Sequence, residues 1–303
     1  MKILIEAVGS YTSGYLIEAI QSSGHHCVAS DISHRSAGAV LADTFVEFPT
    51  VDDANLWDKV EQILLATKVD VVIPTFDEML LGWATRKEYY ASLGVIVVVS
   101  EPDVVKTFND KWLTYQAFIE NGIPAPIASL DSDYSVFKPR IGRGGEGVVF
   151  VDPQNIEKHY FPEGFMSQKC AHGDEYTVDC LFDSRGALVY CVPRKRLMIK
   201  EGKSTSGVVV DEPLVFEFIK KLASSYQFLG PVNFQCFVEH DSIEFIEVNV
   251  RFGGGSSLGM AATENWIPLL VDNFFFNRSI NPNVKINFGM KMYRQYKDVF
   301  SVD

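Results

Sequence analysis

The chain reads as two kinds of α/β structure in series: an open, doubly wound parallel sheet first, then a more antiparallel α+β region. Three observations predict this. Short, nearly continuous apolar runs alternate with amphipathic stretches from Lys2 to Ser100, as in parallel strands covered on both faces. A connector, Pro124-Ala125-Pro126, then interrupts the alternation. Beyond it, a glycine-rich loop links two β-prone runs, and the runs 232–239 and 242–250 flank a two-residue turn, the pattern of a hairpin.

In order, residues 2–8 read as a buried strand, Gly9 to Gly14 as a small-residue turn and Tyr15 to Ser23 as a helix. His26 to Ser30, ending at Asp31, and Thr44 to Phe48 are the next strands. Asp53 to Thr67 is helical, with Leu56, Val60, Ile63 and Leu64 on one face. Val69 to Pro74 is a strand followed by Asp77 and Glu78. These acids fit two descriptions equally: ligand-facing residues past a strand's carboxyl end, or the first acids of a helix. Gly94 to Ser100 closes the alternation. Gly9 and Gly14 lack the GxGxxG spacing, which disfavours dinucleotide binding and a nicotinamide oxidoreductase. Asn109-Asp110-Lys111 opens a helix running to about Asn121, with Asp110 as N-cap and Gly122 as the stop.

Phe137 to Val149 reads strand, loop, strand. Glycines 142, 144, 145 and 147 let backbone amides approach an anion, and Lys138 stands at the entrance as a point charge. A hairpin with an exposed glycine tip is the plainer alternative. Phe165 to Cys170 is a strand. Glu175 to Phe182 alternates, with Tyr176, Val178, Cys180 and Phe182 on one face and Glu175, Thr177, Asp179 and Leu181 on the other. Leu188 to Met198 carries Arg194, Lys195 and Arg196, with Lys195 turned away from the two arginines. Lys203 to Gly207 reads as a polar, flexible stretch and Val215 to Tyr226 as a helix. In the hairpin, Glu247 and Asn249 share a face, and the turn brings Gln235 opposite, near position 247, and onto that face. One carboxylate and two amide oxygens beside a phosphate suit Mg²⁺, and Arg251 follows on the same face. A sheet face with a polar rim is the alternative.

The formal net charge of −12 weighs against a general nucleic-acid binder, and no run of about 18 apolar residues exists for a membrane span. Five cysteines without a close CxxC pair read as free thiols in a reducing cytosol, so a structural zinc is not expected. Met1-Lys-Ile-Leu-Ile enters directly as a strand, so no signal peptide is expected, and a cytoplasmic location is.

The ordered motifs together resemble the ATP-grasp superfamily. They are Asn109-Asp110-Lys111, Phe137-Lys-Pro with its glycine loop, Gln168 to Glu175, Val192-Pro-Arg-Lys-Arg196, Gly230-Pro-Val-Asn-Phe-Gln235 and Ile246-Glu-Val-Asn-Val-Arg251. The resemblance spans about residues 1–275 and is nearest to the ATP-grasp units of carbamoyl-phosphate synthase large chains and their stand-alone relatives. It implies a Rossmann-like pre-ATP-grasp domain at 1–108 and a two-lobed α+β ATP-grasp fold. The lobes would be a small one with a glycine-rich lid at 109–185 and a large one with the metal site at 186–303.

It also implies roles. Lys111 and Lys138 would contact ATP phosphates beneath a lid carrying Arg143, Gly144, Gly145 and Gly147. Gln168, Lys169 and Cys170 would read adenine, and Glu175 the ribose. Gln235, Glu247 and Asn249 would hold Mg²⁺, commonly two ions with Mn²⁺ as a substitute, Gln235 also touching the nucleotide. Arg251 and Lys138 would be catalytic. Arg194, Arg196, Gly253 and Gly254 would face the substrate, and basic residues at 194, 196, 200 and 203 suggest an anionic one. The implied reaction activates a small carboxylate as an acyl phosphate and joins it to an amine, releasing ADP and phosphate. A kinase-like phosphoryl transfer and a non-catalytic ATP-binding regulatory module are the alternatives. Gln235 replaces the second acid common among the metal ligands. The chain ends soon after the core, in a segment 281–303 expected to pack as a strand or tail, so carbamoyl phosphate synthesis by this chain alone is not expected. A homodimer is left open.

Overall fold

The computed structural model describes residues 1–10, 13–200, 203–295 and 297–301. Tyr296 and the side chains of Lys200 and Lys203 lie outside the described residues, so the basic positions expected at 200 and 203 stand there only as expectations.

The first sheet is parallel, built from β1 (Lys2–Ile5), β2 (His26–Asp31), β3 (Thr44–Glu47), β4 (Val71–Ile73) and β5 (Ile96–Val97) in the order β3-β2-β1-β4-β5. Reversal of direction at β1 is the doubly wound arrangement, which opens a crevice at the strands' carboxyl ends. Helices α1 (Gly14–Ser22), α2 (Ala37–Leu41), α3 (Leu56–Thr67) and α4 (Asp77–Ser92) connect the strands. Leu56, Val60 and Leu64 of α3 are buried as their spacing requires, whereas Ile63 is half-buried.

Next come α5 (Pro102–Asn109) and α6 (Lys111–Glu120). Asp110 caps α6, accepting from Trp112 N at 2.8 Å, and Gly122 leaves it with φ +57°. A four-stranded antiparallel sheet follows, β6 (Ala128–Ser129), β7 (Val136–Pro139), β8 (Val149–Phe150) and β9 (Phe165–Gln168), in the order β6-β9-β7-β8.

The third sheet is antiparallel: β10 (Asp174–Phe182), β11 (Leu188–Lys200), β12 (Lys203–Val209), β13 (Gly230–Glu239), β14 (Ser242–Asn249) and β15 (Lys291–Tyr293), ordered β14-β13-β10-β11-β12-β15. Helix α7 (Pro213–Ala223) packs Val215, Ile219 and Leu222 into the core, while α8 (Ser256–Ala261) and α9 (Trp266–Leu270) follow β14. One reading changes here. Lys203 to Gly207 is not flexible: it forms β12, paired on both sides, with Ser204 and Ser206 buried. The third sheet starts at Asp174, and β10 supplies a central strand to it.

An aromatic core welds the first and third sheets. Phe228 packs on Phe108 of α5 at 5.0 Å, on Phe182 at 5.4 Å and on Phe234 at 5.5 Å between ring centroids. At Gly230 (φ +71°), a Cβ would stand 2.7 Å from Val98 Cγ1, so only glycine admits this approach.

Candidate active site

All three sheets contribute walls to one cleft of about 1030 Å³. That volume is at the top of the range for small-molecule sites, enough for a nucleotide together with a second reactant.

The floor is the third sheet. The hairpin register pairs Gln235 with Glu247 and Asn233 with Asn249; the turn at 240–241 alone would set Gln235 against Ile246, and a bulge between Gln235 and Cys236 shifts the pairing by one residue. Across β10 the rows continue to Thr177 and Asp179. Glu247 lies 3.6 Å from Lys111 Nζ, at the start of α6. Among the described residues no three His, Cys, Asp or Glu side chains cluster as a metal site, and Glu247 is the one acid of the expected trio. A single carboxylate with two amide oxygens still fits Mg²⁺, which is commonly held by one or two carboxylates and completed by phosphate and water.

Lys138 is buried on β7 and donates to Gln168 Oε1 at 2.7 Å. Gln168 in turn donates to Pro126 O at 3.2 Å, and Lys169 N donates to Ile127 O. The side chain of Gln168 therefore steadies Lys138, and Cys170, just beyond β9, is exposed. Burial pushes the Lys138 ammonium down to about 8, Lys111 adds to this, and Glu247 partly opposes it. An amine held down in this way keeps most of its charge at neutral pH and loses it just above, where a neighbouring anion would hold the proton on.

Two of the basic triplet, Arg194 and Arg196, line the cleft with their counter-ions. Arg194 is almost fully buried and bidentate with Asp179, Nε at 2.5 Å and Nη2 at 3.0 Å. Asn233 and Ser256 satisfy Asp179 from two further elements, at 2.8 and 2.7 Å. Arg196 pairs with Glu175, the expected ribose ligand. Lys195 faces the other way, pairing with the half-exposed Asp174.

Arg251 is held by Asp77, with Nε–Oδ1 at 2.7 Å and Nη2–Oδ2 at 2.5 Å. Burial works against its charge, but Asp77's charge and hydrogen bonds, with help from Glu247, more than offset this and raise it above the ordinary arginine range. Asp77 and Glu78 open α4; Asp77 lines the cleft, whereas Glu78 is exposed and pairs with Arg143. Gly253 accepts from Tyr15 Oη through its carbonyl at 2.9 Å, and a Cβ there would stand 2.7 Å from Asn233 Nδ2. Gly254 O accepts from Arg294 at 2.8 Å. The lid glycines 144, 145 and 147 all have φ between +62° and +75°, and they line the cleft or its edge with Arg143.

The first domain adds residues that the motifs passed over. Glu6, at the end of β1, accepts from Trp83 Nε1 at 2.7 Å and from Thr75 N at 3.2 Å. Burial lifts its carboxyl to about 7 against those hydrogen bonds. Tyr15 and Asp31 complete this wall. The one available signal was position: a strand's carboxyl end in a doubly wound sheet.

Residues 162–295 match a family model described as ATP-grasp in the biosynthetic pathway with Ter operon, and residues 3–98 match the PylC-like N-terminal domain. No curated protein matches the chain. Solved structures do. The biotin carboxylase–β,γ-ATP complex from Campylobacter jejuni superposes with a TM-score of 0.74 at 17% identity, covering 94% of this chain and 73% of that one. The biotin carboxylase domain dimer of Hydrogenobacter thermophilus 2-oxoglutarate carboxylase, in complex with MgADP, ADP and bicarbonate, gives 0.76 at 14%, covering 96% and 73%. The L-amino acid ligase from Bacillus licheniformis gives 0.70 at 17%, covering 90% and 73%. At such identities the shared property is the fold.

Proposed function

We propose that this chain, ATP-grasp in its carboxyl-terminal region behind a PylC-like first domain, is an ATP- and Mg²⁺-dependent, ADP-forming ligase. It would activate a small carboxylate as an acyl phosphate and join it to an amine. The observation that carries this is convergence: Lys111, Lys138, Gln235, Glu247, Asn249 and Arg251, from the second and third sheets and α6, line one cleft under the 142–147 loop.

The chemistry follows from the residues. A carboxylate oxygen attacks the γ-phosphorus, the bond to the bridging oxygen breaks, and ADP leaves. The amine then attacks the acyl carbon, phosphate leaves with the former carboxylate oxygen, and the amine gives up a proton. Phosphoryl transfer needs charge neutralisation and alignment more than covalent help. Lys138 and Lys111 supply fixed charge to the phosphates, and Arg251 supplies it to the transferring group. Mg²⁺, held by Gln235, Glu247 and Asn249, would spread the charge of the phosphates. Arg143 and glycines 144, 145 and 147 would cover them, excluding water from the acyl phosphate. Backbone at Gln168, Lys169 and Cys170 would meet adenine, and Glu175 the ribose. The carboxylate would sit toward Arg194, Arg196, Gly253 and Gly254. The PylC-like domain would form the far wall, where Glu6 and Asp31 suit an amine-bearing reactant better than a second anion.

The test is ADP release with MgATP across a panel of carboxylic acids and amines, with Glu247→Ala as the blank. Turnover that needs one acid and one amine together, and disappears in the variant, is expected. ADP release with the acid alone, giving a stable phosphorylated product, would move the assignment to a kinase-like reaction. MgATP binding without turnover on any pair would move it to a regulatory nucleotide module.

A further inference from the structure

The 142–147 loop has little to rest on. Ideal Cβ atoms at Gly144 and Gly145 would meet nothing within 4 Å, and Ile141 to Gly147 are exposed. Its root is tied down: Lys111 Nζ donates to Gly142 O at 2.7 Å, Lys111 N donates to Arg140 O at 2.8 Å, and Arg140 pairs with Asp110. Its tip meets the first domain through a single side chain. Arg143 Nη1 pairs with Glu78, and the guanidinium carbon sits 4.7 Å from the centroid of the Phe76 ring. Phe76 and Glu78 flank Asp77, which grips Arg251. Three consecutive residues at the start of α4 therefore hold both the lid arginine and the catalytic arginine.

We propose that Phe76 and Glu78 are positioning residues that latch the lid to the first domain through Arg143, so that lid closure over the nucleotide is coupled to the wall that receives the second reactant. This rests on the ATP-dependent reading above. Arg143 donates from Nη1 alone among the described residues, so Nε and Nη2 are available to a phosphate oxygen. One guanidinium can thus bridge Glu78 and the nucleotide, and each contact then favours the other. The carboxylate and the guanidinium are both about 40% exposed (40% and 43%), so the latch is weak and salt-sensitive, as a contact that must open each cycle requires. An aromatic face below the guanidinium adds attraction that salt screens less. Among the described residues Lys111 and Lys138 make no such contact with the first domain: Lys111 ties the root of the loop, and Lys138 lies buried on β7 against Gln168.

The experiment uses the full chain and two readouts. Without nucleotide, trypsin cleavage after Arg143 reports how often the lid tip is free. Glu78→Ala is expected to raise that rate about fivefold, leave cleavage at other sites unchanged, and abolish the rise with salt that the weak ion pair predicts for the wild type. A purely structural role for Glu78 in α4 would instead raise cleavage generally. With Mg²⁺, release of a fluorescent ATP analogue (mant-ATP) is expected to quicken about fivefold in Glu78→Ala and in Phe76→Ala, with association within twofold of wild type. Normal mant-ATP binding together with unchanged release and unchanged cleavage at Arg143 in folded variants would overturn the latch alone. If wild-type protein binds no mant-ATP, the ATP-dependent reading fails, while the trypsin readout still decides whether Glu78 holds Arg143.

Discussion

On the ATP-dependent reading proposed above, Lys138 would make nucleotide binding a proton-coupled event. Its ammonium is buried and sits near 8, against 10.5 ordinarily, because burial outweighs the attraction of Glu247. A triphosphate beside it supplies the missing counter-charge and should return it to about its ordinary value. Protonated protein is then the form that binds. Affinity is flat below pH 8, falls as pH rises from 8, and levels off again above about 10.5. With those two limits, affinity drops roughly 25-fold between pH 7 and 9.5, and binding at pH 9 takes up about 0.9 proton. Calorimetry in buffers of different ionisation heat measures that uptake directly. The phosphates themselves titrate near pH 6 and do not interfere. Lys138→Met should bind MgATP far more weakly and show no uptake at pH 9. It should also be more stable at pH 7, by about 2–3 kcal/mol, since the cost of a buried charge is removed. Equal MgATP affinity at pH 7 and 9.5, or equal uptake in Lys138→Met, would refute the reasoning.

Three further outcomes follow from the same geometry. Glu6 carries the opposite sign: its carboxyl is raised from 4.5 to about 7, so the folded state binds the extra proton. Its stabilising contribution is complete below about pH 4.5 and is lost as pH rises through 7, and denaturant titrations of Glu6→Gln should lack that decline. Asp179→Ala leaves Arg194 buried without its partner and orphans the hydrogen bonds from Asn233 and Ser256, so chemical denaturation should show a loss of about 3–5 kcal/mol. Gly253→Ala forces a Cβ against the Asn233 amide, which Asp179 already holds; a stability loss of about 1–3 kcal/mol is expected from denaturant midpoints, with a matching fall in turnover.

What could be read beforehand was local. That Gln235 stands close to Glu247 followed from the two-residue turn, though the bulge that sets the two directly opposite did not, and the faces of β10 followed from strict alternation. The capping of α6 by Asp110 and its stop at Gly122 followed from residue chemistry. What could not be read depends on topology. Arg194 was visible as a charge on β11, but the acid that neutralises it stands on a neighbouring strand, Asp179, one diagonal away. Arg251 and Asp77 are 174 residues apart and meet only because the first sheet leans on the third. Lys203 to Gly207 looked flexible because serines and glycine carry no apolar alternation; β11 and β15 hold it as a strand from either side, and Gly207 lies 3.1 Å, as a Cβ, from Lys195 O. The membership of β10 in the third sheet was hidden for a related reason: its partners, β11 and β13, come only later in the chain.

The central claim is that a carboxylate is activated by the γ-phosphoryl group of ATP. The most direct measurement supplies carboxylates labelled with ¹⁸O in both oxygens, with MgATP and an amine panel, and reads the released phosphate by mass. An acyl phosphate intermediate places one ¹⁸O from the productive acid into each phosphate, at the rate of ADP release, and Glu247→Ala should abolish both. Amide formation with unlabelled phosphate, or with AMP and pyrophosphate in place of ADP, would contradict the account.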